Sequence, residues 1–151
     1  MKRFWWIAGA IVLIGLGALG AIVLGLFGGE GESSAERLAL GRQVYEAHCA
    51  ACHGAELEGE PDWRSRRADG TLPAPPHDAT GHTWHHPDAQ LFAITKQGTG
   101  AFAPAGYKTT MTGFAEVLSD EEIRATLDYI KSRWPEDIRT RQAEASRRAG
   151  S

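Results

Sequence analysis

Cysteine and methionine are scarce in this chain of 151 residues: Cys49, Cys52, Met1 and Met111 are all it has. One pair of thiols speaks against a structural zinc site, which typically draws four ligands from two such pairs. A disulfide between residues three apart would close almost no loop and stabilise little. A thioredoxin-like dithiol expects a βαβ pattern beside the pair, and the flanking chain shows no strand pattern. Basic stripes are missing too. The formal net charge is −3, and a nucleic-acid surface would need clustered Lys and Arg. The acids Glu56, Glu58, Glu60 and Asp62 are followed at once by Arg64, Arg66 and Arg67, which reads as a solvated loop of mixed charge. No internal repeat, nucleophile–base pair or paired-carboxylate pattern stands out.

Charge is also absent from residues 4–27, FWWIAGAIVLIGLGALGAIVLGLF. As a helix these would span roughly 36 Å, enough for a hydrocarbon core of about 30 Å. Residues 1–28 are therefore expected to be a transmembrane anchor. The competing reading is a secretory signal cleaved near Ala35, although a signal's apolar region usually runs only about 7–15 residues. Lys2 and Arg3 favour a cytoplasmic N-terminus, with Trp5 and Trp6 at that interface. The rest of the chain would then lie outside the cytoplasm, in the periplasm of a bacterium. The small polar stretch GGEGESSA, residues 28–35, reads as flexible, with a root-mean-square reach of roughly 16 Å, and residues 29–35 are the linker beyond the anchor.

Beyond it, ERLALGRQVYEAHC predicts a helix burying Leu38, Val44 and Tyr45, with Gly41 on the same side. Residues 54–87, rich in Pro, Gly, Asp and His, read as a long ordered loop; such loops are usually functional or wrapped around something. Pro87-Asp88 opens a short helix through Leu91, Phe92 and Ile94 that stops at Gly98. After a second loop containing Met111, Ser119-Asp120-Glu121-Glu122 forms a capping box. The helix behind it buries Ile123, Leu127 and Ile130, with Tyr129 alongside, and ends before Pro135. Residues 136–151 read as a polar tail, a solvated helix or frayed. Three short helices and two long loops make a poor core alone, so a staple is expected.

The stretch HCAACHGAELEG carries the candidate. C-x-x-C-H reads as covalent haem attachment. Thiols one helical turn apart can reach two vinyl groups on one porphyrin edge, and the adjacent histidine can swing under the ring to the iron.

On these residues the segment 36–135 resembles a class I, mono-haem cytochrome c. Gly41 and Tyr45, four apart, match the family's glycine and aromatic where the terminal helices cross, with Leu127 and Tyr129 or Ile130 facing them. GHTWHHPDAQLF and LSDEEIRATLDYIKSRWP resemble a membrane-anchored bacterial subgroup. The resemblance implies an all-α fold, three to four short helices and long loops around one haem c, behind a single transmembrane helix. It implies Cys49 and Cys52 as thioether anchors, His53 as proximal iron ligand and Met111 as distal ligand. Met111 lies between the third helix and the last, as in the family. Thr112 departs from the proline often found after that methionine, whereas Phe114 fits.

His77, His82, His85 and His86 are alternative axial ligands or a second metal site; otherwise they pack at the haem edge, as Trp63 and Tyr107 would. Pro61 is a candidate carbonyl partner for the His53 ring. With both axial positions filled, the iron has no open site, so the expected role is an electron carrier rather than an enzyme. The partners implied are membrane-bound redox complexes of respiration or photosynthesis on the periplasmic side: a quinol-oxidising donor and an oxidase or reaction-centre acceptor. Two alternatives stand beside it. The anchor's Gly17, Ala21 and Gly25 would let helices approach closely, as in a fixed subunit of a larger oxidoreductase; a displaceable Met111 would suit a haem sensor or small peroxidase.

Overall fold

The computed structural model describes residues 33–150, and among them no helix is long and apolar enough to cross a membrane. The expected anchor and the first part of the expected linker lie outside the described residues. The domain has five α-helices: α1 Ser34–His48, α2 Ala50–His53, α3 Asp88–Gln97, α4 Asp120–Ser132 and α5 Glu136–Ala149. Two 3-10 turns, Thr83–His85 and Thr99–Ala101, and long loops complete it. No strand occurs among the described residues; one isolated bridge pairs Gly98 with Thr112.

The crossing of α1 and α4 is the main helix contact, and Gly41 sets its closeness. A Cβ there would overlap the backbone carbonyl of Ala125, so only glycine lets the two helices touch backbone to backbone. Leu127 joins Val44 in one apolar cluster with Leu91, Leu118 and Ile123. Ile130 joins Tyr45 in a second cluster with Leu57, Trp134 and Ile138, and Tyr129 packs against Tyr45 at 5.6 Å between ring centroids. The residues expected opposite Gly41 thus flank the crossing, while Gly41 itself meets main chain. Arg37 Nε fastens the same pair of helices to Asp128 at 2.6 Å.

The helix ends follow their local signals. Ser119 accepts from Glu122 N–H, and the Glu122 carboxylate accepts from Ser119 N–H, the reciprocal capping box the sequence implies. α3 starts behind Pro87 and stops at Gly98, whose φ of 84° is left-handed. α1 and α2 form nearly one helix interrupted at Cys49. Cys49 N–H still donates to Tyr45 carbonyl, His53 N–H donates to Cys49 carbonyl, and Gly54, at φ 81°, ends the turn.

Residues 136–149 differ from a solvated tail. They form α5, which packs on the Thr83–His85 turn, with Ile138 and Gln142 buried. Gln142 Nε2 donates to the His86 carbonyl (3.2 Å) and to Asp88 Oδ1 (2.8 Å). A polar helix is thereby held by one buried amide and one isoleucine, too sparse a face to show as periodicity.

Candidate functional site

The helical turn α2 brings Cys49, Cys52 and His53 together. Residues three apart on a helix share a face, and Gly54 lets the chain leave directly after the histidine. Both cysteines are free thiols, Cys52 exposed and Cys49 half-buried. Burial pushes the Cys49 thiol up to about 11, with the neighbouring Cys52 adding to the effect. Tyr45 closes the turn from below, its hydroxyl donating to Gly54 carbonyl at 2.8 Å.

His53 is 7% exposed. Its Nδ1 lies 2.8 Å from the carbonyl of Pro75. A carbonyl can only accept, so the neutral ring carries its proton on Nδ1 and keeps a lone pair on Nε2. Burial holds the ring's pKa below the ordinary histidine value and so favours that neutral form, against smaller upward pulls from Pro75 carbonyl and the Glu60 charge. The partner is Pro75, not Pro61. The loop runs fourteen residues further before its carbonyl arrives, because residues 60–74 form a closed excursion between them. Pairings at its ends, Glu60 N–H to Ala74 carbonyl and His77 N–H to Leu57 carbonyl, bring Pro75 back beneath the ring.

A second histidine accompanies the first. His77 stacks on His53 with centroids 3.9 Å apart and planes 21° apart. Its Nδ1 is 2.7 Å from Thr83 Oγ1, and its carbonyl accepts from Trp134 Nε1 at 2.7 Å. Burial, and then the His53 and His82 rings, press its pKa well below the ordinary value, so it stands neutral. A ring stacked face to face on His53 cannot also sit across an iron from it, which removes His77 as an opposed axial ligand. The His77 and Trp134 pairing was hidden in sequence; a tryptophan just before Pro135 was the only signal.

The other histidines occupy aromatic stacks. His82 lies parallel to Trp63, at 5.4 Å and 11°, with Arg64 over the other ring at 4.0 Å. His85 stacks on Trp84 at 3.8 Å, and His86 meets His82 edge-on. Among the described residues no group of three or more His, Cys, Asp or Glu side chains is placed to hold a metal ion, and these histidines pack against aromatic rings, the other arrangement the sequence allows. Tyr107 sits under Arg66 at 5.4 Å, in the loop leading to Met111.

Met111 stands on the loop between α3 and α4. Its sulfur accepts the Thr99 hydroxyl at 3.2 Å, and its N–H donates to Thr109 Oγ1 at 3.1 Å. The next residues are drawn onto the end of α3: Thr112 pairs with Gly98, Phe114 N–H donates to Thr95 carbonyl and Ala115 N–H to Lys96 carbonyl. Thr112 therefore meets backbone where the resembling proteins often carry proline. Thr99, which holds the sulfur, was not singled out by any sequence pattern.

A family model described as Cytochrome c matches residues 38–134. The chain belongs to the cytochrome c family. No curated protein and no solved structure matches it. Cytochrome c domains bind haem c covalently, typically one, and Cys49 and Cys52 have the spacing for it. The domain is correspondingly a haem c electron carrier in class.

The residues present fit that group. The indole Nε1 of Trp84 is buried and has no hydrogen-bond partner among the described residues. A buried donor left unpaired costs roughly 1–3 kcal/mol, which an acceptor on a bound group would relieve. Two free thiols and an imidazole with its Nε2 lone pair available supply the remaining donors.

Proposed function

We propose that His53 and Met111 are the axial ligands of the haem iron and that Cys49 and Cys52 hold the porphyrin through thioethers. The domain would then pass single electrons between membrane-bound redox complexes. The observation that carries this is the His53–Pro75 hydrogen bond inside the C-x-x-C-H turn. It fixes the tautomer, orients the ring and raises its basicity, as partners of metal-bound histidines do.

The haem supplies the one-electron chemistry; a His/Met pair favours a higher potential than bis-histidine. The chain's own residues contribute rigidity. Pro75 holds the Nδ1 proton in place, so the imidazole does not turn when the charge on its far side changes. Thr99 gives its hydroxyl to the Met111 sulfur and restrains the distal side in the same way. His77, itself met edge-on by Tyr45, covers one face of the His53 ring.

The apolar segment 4–27 supports a single-pass anchor in the inner membrane of a bacterium, with the domain on the periplasmic side. The linker's short reach would confine the domain near the membrane, where encounters with integral complexes gain effective concentration. A quinol-oxidising donor and an oxidase or reaction-centre acceptor are the partner types this arrangement suits.

The test is spectroscopic. Purified protein should retain haem through denaturing electrophoresis and give a reduced-minus-oxidised c-type spectrum. Carbon monoxide should leave the reduced spectrum unchanged in the unaltered protein and shift it in Met111→Ala. Haem released quantitatively by denaturation, or carbon monoxide binding without any substitution, overturns the assignment. Severing the chain at Gly29 should preserve the spectrum while slowing turnover with membranes; an unchanged rate at equal copy number counts against the anchor.

A further inference from the structure

The excursion between Glu60 and Ala74 leaves and returns at one point. Glu60 N–H donates to the Ala74 carbonyl at 2.9 Å, and Ala74 N–H donates to Glu60 Oε2 at 2.6 Å. One residue thus engages both main-chain polar groups of another. The second carboxylate oxygen takes Arg67 Nη2 at 2.6 Å, and Arg67 N–H donates to Thr71 carbonyl within the excursion. On the other side, Gly59 N–H donates to the His53 carbonyl at 2.8 Å, and a Cβ on Gly59 would collide with the backbone of Pro75 and Pro76.

Directly after Ala74 comes Pro75, whose carbonyl receives the His53 Nδ1 proton. The run is Pro73-Ala74-Pro75-Pro76. Proline has no backbone N–H, so across these four residues Ala74 has the only main-chain donor. The Glu60 carboxylate takes it. Nothing else in the run can be fixed by donating a backbone hydrogen bond, and the neighbouring carbonyl bears on the candidate iron ligand.

We propose that Glu60 is a positioning residue for His53: its carboxylate pins Ala74 and thereby aims the Pro75 carbonyl at the ring Nδ1. This rests on the reading of His53 as an iron ligand. A firm acceptor on Nδ1 makes the imidazole a stronger donor and favours the ferric state. Loosening Ala74 weakens that acceptor, and the reduction potential rises. Glu60 bonds to Ala74 and Arg67 rather than to His53, so this positioning acts through two residues of backbone, Ala74 and Pro75.

Two readouts on the full-length, haem-loaded protein test this: the reduction potential, and the solvent exchange of the His53 Nδ1 proton followed by NMR. Glu60→Ala should raise the potential and speed the exchange by about tenfold or more, as local opening does. Glu60→Gln keeps an acceptor for Ala74 N–H while removing the charge, so its exchange should stay near the unaltered rate. Unchanged exchange in Glu60→Ala overturns the proposal. Equal acceleration in Glu60→Gln traces the effect to charge and also overturns it. Should Glu60→Ala fail to mature, Glu60→Asp keeps the charge but draws the carboxylate back by one methylene; it should accelerate exchange, and an unaltered rate there is fatal. Absence of an iron-shifted His53 ring signal in the unaltered protein defeats the ligand reading itself. A shifted signal whose exchange ignores these substitutions defeats only the role of Glu60.

Discussion

His53 and Met111 are held by different kinds of structure. His53 ends a helical turn that continues α1, which is locked against α4 at Gly41 and Ala125. Its ring is buried, stacked on His77 and bonded to Pro75. Met111 lies on an irregular loop, partly exposed, restrained by the Thr99 hydroxyl and a few backbone pairings to the end of α3. Regions with few buried contacts open at low free-energy cost. The distal side is therefore where a ligand would exchange, and the histidine side is where the fold would fail.

The largest effect belongs to the cysteines. Replacing Cys49 and Cys52 together with alanine should abolish covalent haem and most of the fold, since so small a core needs a staple. The measurements are haem staining after denaturing electrophoresis and far-UV circular dichroism. A folded, haem-binding double variant would show that the two clusters around Val44 and Tyr45 suffice alone.

Next comes the crossing. Gly41→Val would put a Cβ into the Ala125 carbonyl and add two methyl groups at the same crossing. Overpacking typically costs about 1–3 kcal/mol, and contact with rigid main chain puts this site at the upper end. Thermal unfolding should fall by several degrees at least, with the absorption spectrum of the surviving folded fraction unchanged. Met111→Ala should do the reverse: open the iron to carbon monoxide and lower the potential while leaving the unfolding midpoint of the helices nearly intact. If Met111→Ala unfolds the domain as fully as Gly41→Val, the two sides are not separable.

Thr99→Val is a milder strike on the distal side. It keeps the volume and removes the hydroxyl that bonds the sulfur, a hydrogen bond worth roughly 0.5–1.5 kcal/mol net. Carbon monoxide binding to the reduced protein, expected to be negligible in the unaltered chain, should become measurable though far slower than in Met111→Ala. A fully resistant variant would mean that the Thr95 and Lys96 backbone pairings alone hold the loop.

What the sequence disclosed divides along the same line. α1 was readable from the spacing of Leu38, Gly41, Val44 and Tyr45, and α3 and α4 because their ends carry local signals: the capping box at Ser119, Pro87 before Asp88, and Gly98 after Gln97. The thiol–histidine turn was readable because its chemistry is contiguous. Pro75 was not. Its contact with His53 is set by a loop path through Leu57 at φ 72° and Asp62 at φ 54°, non-glycine residues in left-handed backbone that no propensity predicts. Close approach also shapes it, since a Cβ on Gly81 would meet Pro76 carbonyl. The role of α5 was invisible for another reason: Gln142, 3% exposed, buries a polar side chain through hydrogen bonds to His86 and Asp88, and such partners exist only in three dimensions. Local order could be read, and long-range polar contacts could not.

The smallest effect returns to the histidine side and is a matter of pH. Asp128, 30% exposed, bridges Arg37 of α1 at 2.6 Å and Lys131 of its own helix at 2.9 Å. Burial pushes its carboxyl pKa upward, but the bonds and charges of Lys131 and Arg37 outweigh that and leave it below the ordinary carboxylate value. A carboxylate depressed in the folded state contributes stability that is complete above its unfolded pKa of about 3.9. That contribution is lost as pH falls through the folded value. The stabilisation is modest, up to about 1 kcal/mol for so exposed a pair. Asp128→Asn should lower the thermal midpoint slightly at pH 7, and the gap between variant and unaltered protein should close as acidification passes below the ordinary carboxylate range. The iron-to-Met111 signature should not follow it, because the ion pair fastens α1 to α4 and leaves the Met111 loop alone. A gap that persists in acid would show that the aspartate acts by packing rather than charge. Loss of the methionine signature in step with the midpoint would show that the two sides yield together.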